Sequence, residues 1–426
     1  MNVTINPGKL KGMVRVPGSK SAAHRALFCA AFADGKTLIT GAGCSEDIQA
    51  TLRAIEMLGA VSEEEDGGII VTPVSLCGPD ERRAFRLKMK QSGVSAEVRS
   101  FDCGESGTTY RFVLPLVGIN GETTEIKMHG KLGERPVREL MRELAKKGMA
   151  FDMMRIKATA QGKLESGTFR LPGNVSSQFI SALLTALPLV EGESRIEVEG
   201  PVSSEAYIEM TEDTVRMFGG KITREGNTFI VDPVSVYHSP GTVQVEGDWS
   251  SAAFWLTANA LGSDIAVTGT DEASRQSDKA VTSLLPRILE GGSVIDVDAC
   301  PDLLPILSVA AAVSPGTTTF TGAGRLREKE SDRLEASADM ITSLGGKASV
   351  QEDQLTVEGT GSEKGLGTLA GGTVNSRGDH RIAMSAAAAA TVCNGPVTVT
   401  DAQSAAKSYP EFWNDYKALG GSLEEA

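Results

Sequence analysis

The chain has 426 residues, 41 % of them apolar, enough for two or three domains of ordinary size. Its formal net charge of −13 argues against nucleic acid as a partner of the whole surface, although cations converging locally still suit a small anion. Six scattered cysteines (Cys29, Cys44, Cys77, Cys103, Cys300, Cys393) form no Cys-x-x-Cys, and the four histidines show no metal-ligand spacing. Reduced thiols and a cytoplasmic protein are expected. The N-terminus lacks the pattern of a signal peptide, and no apolar run is long enough to span a bilayer.

In chain order, residues 3–16 read as a strand, followed by Pro17-Gly18-Ser19-Lys20-Ser21-Ala22-Ala23-His24-Arg25. A glycine turn here feeds a small-residue helix with Ser19 or Ser21 near its cap. Unpaired N–H groups, Lys20, Ser21 and Arg25 together make a seat for phosphate or carboxylate. No Gly-x-x-x-x-Gly-Lys-Ser is present. The rival reading is a capped helix with two solvated cations.

The same pattern, a polar-capped turn, a buried small-residue helix and a strand, recurs at Glu105-Ser106-Gly107-Thr108, Gly173-Asn174-Val175-Ser176-Ser177-Gln178, Gly247-Asp248-Trp249, Cys300-Pro301-Asp302 and Gly378-Asp379-His380-Arg381. Each copy continues into a second, amphipathic helix, and three of these helices stop at Leu-Gly or Phe-Gly. Short alternating strands follow, so the unit reads as βαβαββ. Six unequally spaced copies exclude a solenoid and predict an α/β (α+β) protein of two lobes with three units each. The expected lobes are 1–19 with 236–426, and 20–235 as an insertion, joined by two crossings that form a hinge.

The helix starts carry the candidate chemistry: Lys20, Ser21 and Arg25; Ser106, Thr108 and Arg111; Ser176, Ser177 and Gln178; Asp302; and Asp379, His380 and Arg381. Arg135, Lys329, Glu330, Arg333 and Lys407 lie between and after them. If the lobes face each other, these groups line a cationic cleft inside an acidic shell, suited to phosphate and carboxylate. Asp302 and Glu330 are the acid or base candidates. Blander readings compete: Arg111 bracing its own helix, Glu330 and Arg333 as a surface pair one turn apart, His380 as a structural cap, and His24 as packing.

The motifs resemble those of the 5-enolpyruvylshikimate-3-phosphate synthase family from about Val14 to Trp413. They are Pro17-Gly18-Ser19-Lys20-Ser21 with Arg25; Ser106-Gly107-Thr108 with Arg111; Glu134-Arg135-Pro136; Asn174-Val175-Ser176-Ser177-Gln178-Phe179; Val245-Glu246-Gly247-Asp248; Lys329-Glu330-Ser331-Asp332-Arg333-Leu334; and Asp379-His380-Arg381-Ile382-Ala383-Met384. The resemblance implies 3-phosphoshikimate 1-carboxyvinyltransferase activity. In that reaction the enolpyruvyl group of phosphoenolpyruvate passes to the 5-hydroxyl of shikimate 3-phosphate by addition and elimination, on the way to chorismate and the aromatic amino acids. It implies a two-lobed fold that closes over substrate, no metal, no cofactor, no nucleic-acid or membrane partner, a monomer, and sensitivity to glyphosate.

Carried over by resemblance, the shikimate 3-phosphate side is Lys20, Ser21, Arg25, Ser176, Ser177, Gln178, Ser204, Tyr207, Asp302 and Lys329. The phosphoenolpyruvate side is Lys20, Gly107, Arg135, Gln178, Arg333, Arg381 and Lys407. Asp302, Glu330 and Lys20 are the catalytic candidates. Two positions depart from the family's common pattern, Glu105 and Arg325, both where asparagine is frequent. The alternatives are a UDP-N-acetylglucosamine enolpyruvyl transferase of the same fold and a non-catalytic small-anion binding protein.

Overall fold

Alternating strands and small-residue helices assemble, in the computed structural model, into five four-stranded sheets and one two-stranded sheet among the described residues. The structure describes residues 1–65, 67–76 and 99–425, and Cys77 lies outside them. The chain divides into two compact units, 18–246 and 1–17 with 247–426. Among the described residues no helix is long and apolar enough to cross a membrane.

In unit 18–246 the third copy shows the repeat in full. Thr168–Pro172 runs parallel to Ser194–Glu199, which pairs antiparallel with Thr228–Asp232, itself antiparallel to Lys221–Glu225. Parallel neighbours need a crossover, and helix Ser177–Ala186 supplies it. The second copy repeats the order with Arg99–Asp102, Thr124–Lys127, Lys157–Gln161 and Ala150–Met154. The first copy, Thr37–Thr40, Gly68–Thr72 and Val61–Glu65, takes its parallel edge strand from Thr242–Gln244 at the far end of the unit. The crossover helices Lys20–Ala31, Gly107–Asn120 and Ser177–Ala186 are nearly all apolar or small and pack on one another, with Phe28 stacked on Phe112 at 5.6 Å. The outer helices keep one wet face. Glu46–Leu58 is a clear case, capped by Ser45 and ended by Gly59 in the left-handed region.

Unit 1–17 with 247–426 holds the other three copies. The fifth is complete: Val294–Asp296, Thr317–Thr321, Gln354–Glu358 and Lys347–Gln351. The sixth pairs Gly372–Asn375 with Val397–Thr400 and completes its sheet with Val3–Ile5 and Leu423–Glu425, from the two ends of the chain. The fourth has only Lys11–Arg15 parallel to Asp264–Thr268 among the described residues, so it lacks the final hairpin. Crossover helices Trp249–Ala260, Leu304–Val313 and His380–Ala389 form this unit's centre. Trp255 stacks on Phe412 at 5.0 Å beside it.

The unit boundaries differ from the sequence expectation. The return crossing falls at Glu246–Gly247 rather than 235–236, because Thr242–Gln244 pairs with Thr37–Thr40 and keeps 236–246 with the inserted unit. The first falls at Pro17–Gly18. A Cβ on Gly18 would sit 1.7 Å from the Gly41 carbonyl oxygen, so only glycine permits this approach.

Candidate active site

The starts of the crossover helices gather the charged residues of each unit. In unit 18–246 the cap of the first helix is Ser19, whose side chain accepts from the Ala22 N–H. Lys20 Nζ donates to Asp47 Oδ2 at 2.7 Å, a partner that sequence reasoning missed because Asp47 belongs to the next helix. Arg25 is buried and bonded inward: Nε to Thr211 Oγ1 at 2.7 Å, Nη1 to the Ser21 carbonyl at 2.6 Å, and Nη2 to the Tyr207 carbonyl at 2.9 Å. Burial lowers its guanidinium to about 10. His24 is buried with Nδ1 2.6 Å from Thr51 Oγ1; burial, then Lys20 and Arg25, hold its pKa well below the ordinary value. A neutral, packed imidazole follows.

A second group centres on Gly107. Ser106 caps helix Gly107–Asn120 and accepts from the Thr109 N–H. Arg111 donates twice to the Pro136 carbonyl, at 3.1 and 2.9 Å, and once to Gln178 Oε1 at 2.5 Å. Gln178 Nε2 in turn donates to Thr108 Oγ1 at 2.9 Å. Arg111 thus ties three segments together, more than bracing its own helix. A Cβ on Gly107 would lie 2.8 Å from Arg135 Nη1 and 2.9 Å from Arg111 Nη1, so two guanidinium tips crowd this backbone. Ser176 caps helix Ser177–Ala186, and Ser177 is buried in its first turn. Ser204, before helix Glu205–Met217, takes a left-handed φ of 53°, uncommon outside glycine, and its carbonyl accepts from Tyr207 N. Glu105 folds over Gly130, where an added Cβ would lie 2.5 Å from its Oε2.

In unit 1–17 with 247–426 the arrangement is a charged lattice. Arg333, 1 % exposed, donates Nε to Asp379 Oδ2 at 2.8 Å, Nη1 to Asp302 Oδ1 at 2.6 Å and Nη2 to Glu330 Oε2 at 2.6 Å. Arg381 donates Nη2 to Asp302 Oδ2 at 2.8 Å, and Lys329 Nζ lies 4.0 Å from Asp302 Oδ1. Asp379 caps helix His380–Ala389 through the Arg381 N–H and also accepts from Ser331 Oγ at 3.0 Å. Lys407 Nζ donates to the Gly378 carbonyl at 2.8 Å. Arg325 is engaged by Asp298, with bonds to its carboxylate at 3.1 and 2.9 Å and to its carbonyl at 2.7 Å.

Two of the blander readings, and the place of Asp302, are decided by this geometry. Asp302 is not a helix cap: it lies in the turn Pro301–Leu303, no side chain caps helix Leu304–Val313, and its oxygens face arginines. Burial alone would raise its carboxyl, but Arg381, Lys329 and Arg333 outweigh that and hold it well below the usual carboxylate range. Glu330 and Arg333 are not a solvated pair, since Arg333 is enclosed. The cap beside His380 is Asp379; His380 itself is a buried first-turn residue. Sequence reasoning quoted Asp379 within its motif without giving it the role of counter-ion to Arg333; its place directly before a candidate arginine was the available signal.

A protein-family model described as EPSP synthase (3-phosphoshikimate 1-carboxyvinyltransferase) matches residues 5–416. The 3-phosphoshikimate 1-carboxyvinyltransferase of Clostridium kluyveri is 37 % identical, over 99 % of this chain and 98 % of its own length. That of Clostridium acetobutylicum is 38 % identical over the same shares. Among solved structures, EPSP synthase from Acinetobacter baumannii superposes with a TM-score of 0.79 at 26 % identity, over all of both chains. The enolpyruvyl transferase NikO from Streptomyces tendae shares the fold, with a TM-score of 0.77 at 16 % identity, over 100 % of this chain and 98 % of its own. With a family model spanning nearly the whole sequence and curated relatives matched end to end, the chain belongs to the EPSP synthase family.

Proposed function

We propose that the protein transfers the enolpyruvyl group of phosphoenolpyruvate to the 5-hydroxyl of shikimate 3-phosphate and releases phosphate, through a tetrahedral intermediate. Family membership makes it an enzyme of aromatic amino acid biosynthesis that moves an enolpyruvyl group from phosphoenolpyruvate to a small phosphorylated substrate. The observation that carries the finer reading is the Asp302 carboxylate, kept ionised by Arg333, Arg381 and Lys329 with Glu330 alongside.

In this reading Asp302 accepts the 5-hydroxyl proton as the oxygen bonds to C2 of phosphoenolpyruvate. Glu330 or a lysine, Lys20 among them, delivers a proton to the methylene carbon, which becomes a methyl group. Elimination returns that methyl proton to a base while the C2–O bond to phosphate breaks and phosphate leaves. Arg135, Arg333, Arg381 and Lys407 serve phosphoenolpyruvate, with Lys20, Gln178 and the Gly107 backbone. Ser21, Arg25, Ser176, Ser177, Ser204, Tyr207 and Lys329 serve shikimate 3-phosphate, with Lys20, Gln178 and Asp302. Guanidinium forks suit phosphate and carboxylate, and helix N-termini add donors. Because these residues belong to both units, we propose that the units close on substrate and that the protein acts as a monomer.

Phosphate release on mixing both substrates tests the reaction. Release with UDP-N-acetylglucosamine in place of shikimate 3-phosphate would reassign the acceptor, and binding without release from either would leave an anion-binding protein. Small-angle scattering with shikimate 3-phosphate and a phosphoenolpyruvate analogue tests closure; unchanged dimensions would overturn it. Sedimentation at working concentration tests the monomer.

A further inference from the structure

Asp278 is 0 % exposed. It lies in the short turn Ser277–Ala280 that leads into helix Val281–Glu290. Its Oδ2 accepts from Ser250 Oγ, on the first turn of helix Trp249–Ala260, while its Oδ1 has no hydrogen-bond partner among the described residues. The adjacent Gln276 pins this turn in place: Oε1 accepts from Trp249 N at 3.0 Å, and Nε2 donates to the Gly247 carbonyl at 2.8 Å. Asp278 therefore has no easy route to water.

Four groups lie close enough to act on its charge: Asp302 in turn Pro301–Leu303, Arg381 in helix His380–Ala389, Asp248 at the cap of helix Trp249–Ala260, and the Cys300 thiol. A buried carboxylate with one hydrogen-bond partner is costly, and a second carboxylate nearby compounds that cost. Asp302 holds two arginines and keeps the charge. Burial first, then Asp302, push Asp278 up to about 7, against the pull of Arg381 and Ser250. Arg381, for its part, has a buried Nε that no acceptor among the described residues satisfies. Asp278 and Arg381 thus interact electrostatically, and each keeps a polar atom without a partner among the described residues.

Charge balance gives this a consequence. Lys329, Arg333 and Arg381 are matched by Asp302, Glu330 and Asp379. Ionising Asp278 adds one negative charge beside Arg381 and weakens the pull of this cluster on an anion. We propose that Asp278 is a positioning residue for anion binding: as a neutral buried acid it leaves Arg381 to the incoming substrate, and as a carboxylate it competes for that guanidinium. The inference rests on the reading that Arg381 receives an anionic substrate.

Asp278→Asn keeps the shape and the Ser250 acceptor and cannot ionise. Both proteins are assayed for kcat/KM of phosphoenolpyruvate from pH 6 to 9 at saturating shikimate 3-phosphate. Substrate ionisations affect both alike and cancel in the ratio. Near pH 6 the two should agree within about twofold, and above pH 7 the wild type should fall behind the variant by up to ~10-fold per pH unit, as one-proton linkage allows. A ratio constant across the range overturns the proposal. Wild-type protein supplies an independent arm: calorimetry with inorganic phosphate at pH 8, in buffers of different ionisation enthalpy, should show proton uptake on binding. Phosphate binding without proton uptake also overturns it. If neither protein turns over the substrate pair, the proposed reaction falls, while the phosphate measurement still decides the role of Asp278.

Discussion

The arginines of the two units rest on opposite electrostatics, although the same repeat presents them. In unit 18–246, Arg25 and Arg111 are bonded to neutral acceptors: Thr211, the Ser21, Tyr207 and Pro136 carbonyls, and Gln178. In unit 1–17 with 247–426, Arg333 and Arg381 are bonded to carboxylates. Burial would lower the Arg333 guanidinium as it lowers that of Arg25, but Asp379, Glu330 and Asp302 reverse the direction. The neutral hydrogen-bond partners of Arg25 position its guanidinium without adding a negative charge. Carboxylate partners cancel the guanidinium charge and in return hold Asp302 as a strong hydrogen-bond acceptor that stays ionised.

Removing the charge of Asp302 should break this contrast most severely. Asp302→Asn should fold, since Arg333 keeps Glu330 and Asp379, yet turnover should drop by roughly two to four orders of magnitude, the usual span for general acid–base catalysis. Phosphate release at saturating substrates measures it, and turnover within about threefold of wild type would return Asp302 to a structural role. Asp379→Ala attacks the enclosed ion pair and the cap together. Breaking one partner of a buried pair costs about 3–5 kcal/mol, so the denaturant midpoint should fall accordingly.

Smaller effects are expected in unit 18–246. Arg135→Lys keeps a charge and loses the fork, so the phosphoenolpyruvate KM should rise about 10- to 100-fold with shikimate 3-phosphate affinity little changed. An equal effect on both substrates would reassign Arg135. Gly107→Ala displaces the Arg135 and Arg111 tips and should raise the glyphosate inhibition constant more than the phosphoenolpyruvate KM. Unchanged inhibition would remove Gly107 from that role. Thr211→Val deletes a neutral acceptor of Arg25 and should cost about 1–3 kcal/mol by chemical denaturation. A loss as large as that of Asp379→Ala would erase the distinction between the two kinds of support.

The sequence by itself determined the features that depend on neighbours along the chain. The six polar turn-to-helix starts, with the first cap narrowed to Ser19 or Ser21, and the glycine stop at Gly59 follow from backbone preferences and hydrogen bonds spanning a few residues. The two-lobed repeat was legible for the same reason, since each copy carries its own local pattern. Tertiary structure alone decided which copy receives which strand. Thr242–Gln244 completes the first sheet and Val3–Ile5 the sixth, and a strand of three residues carries no mark of its distant partner. It also decided the ionic state of the charged groups. Arg381 meets Asp302 across 79 residues, and Asp278 is buried against Ser250 within reach of the Arg381 and Asp302 charges. Whether a carboxyl keeps its proton depends on the charges and the dielectric around it, and only the packed chain brings those together.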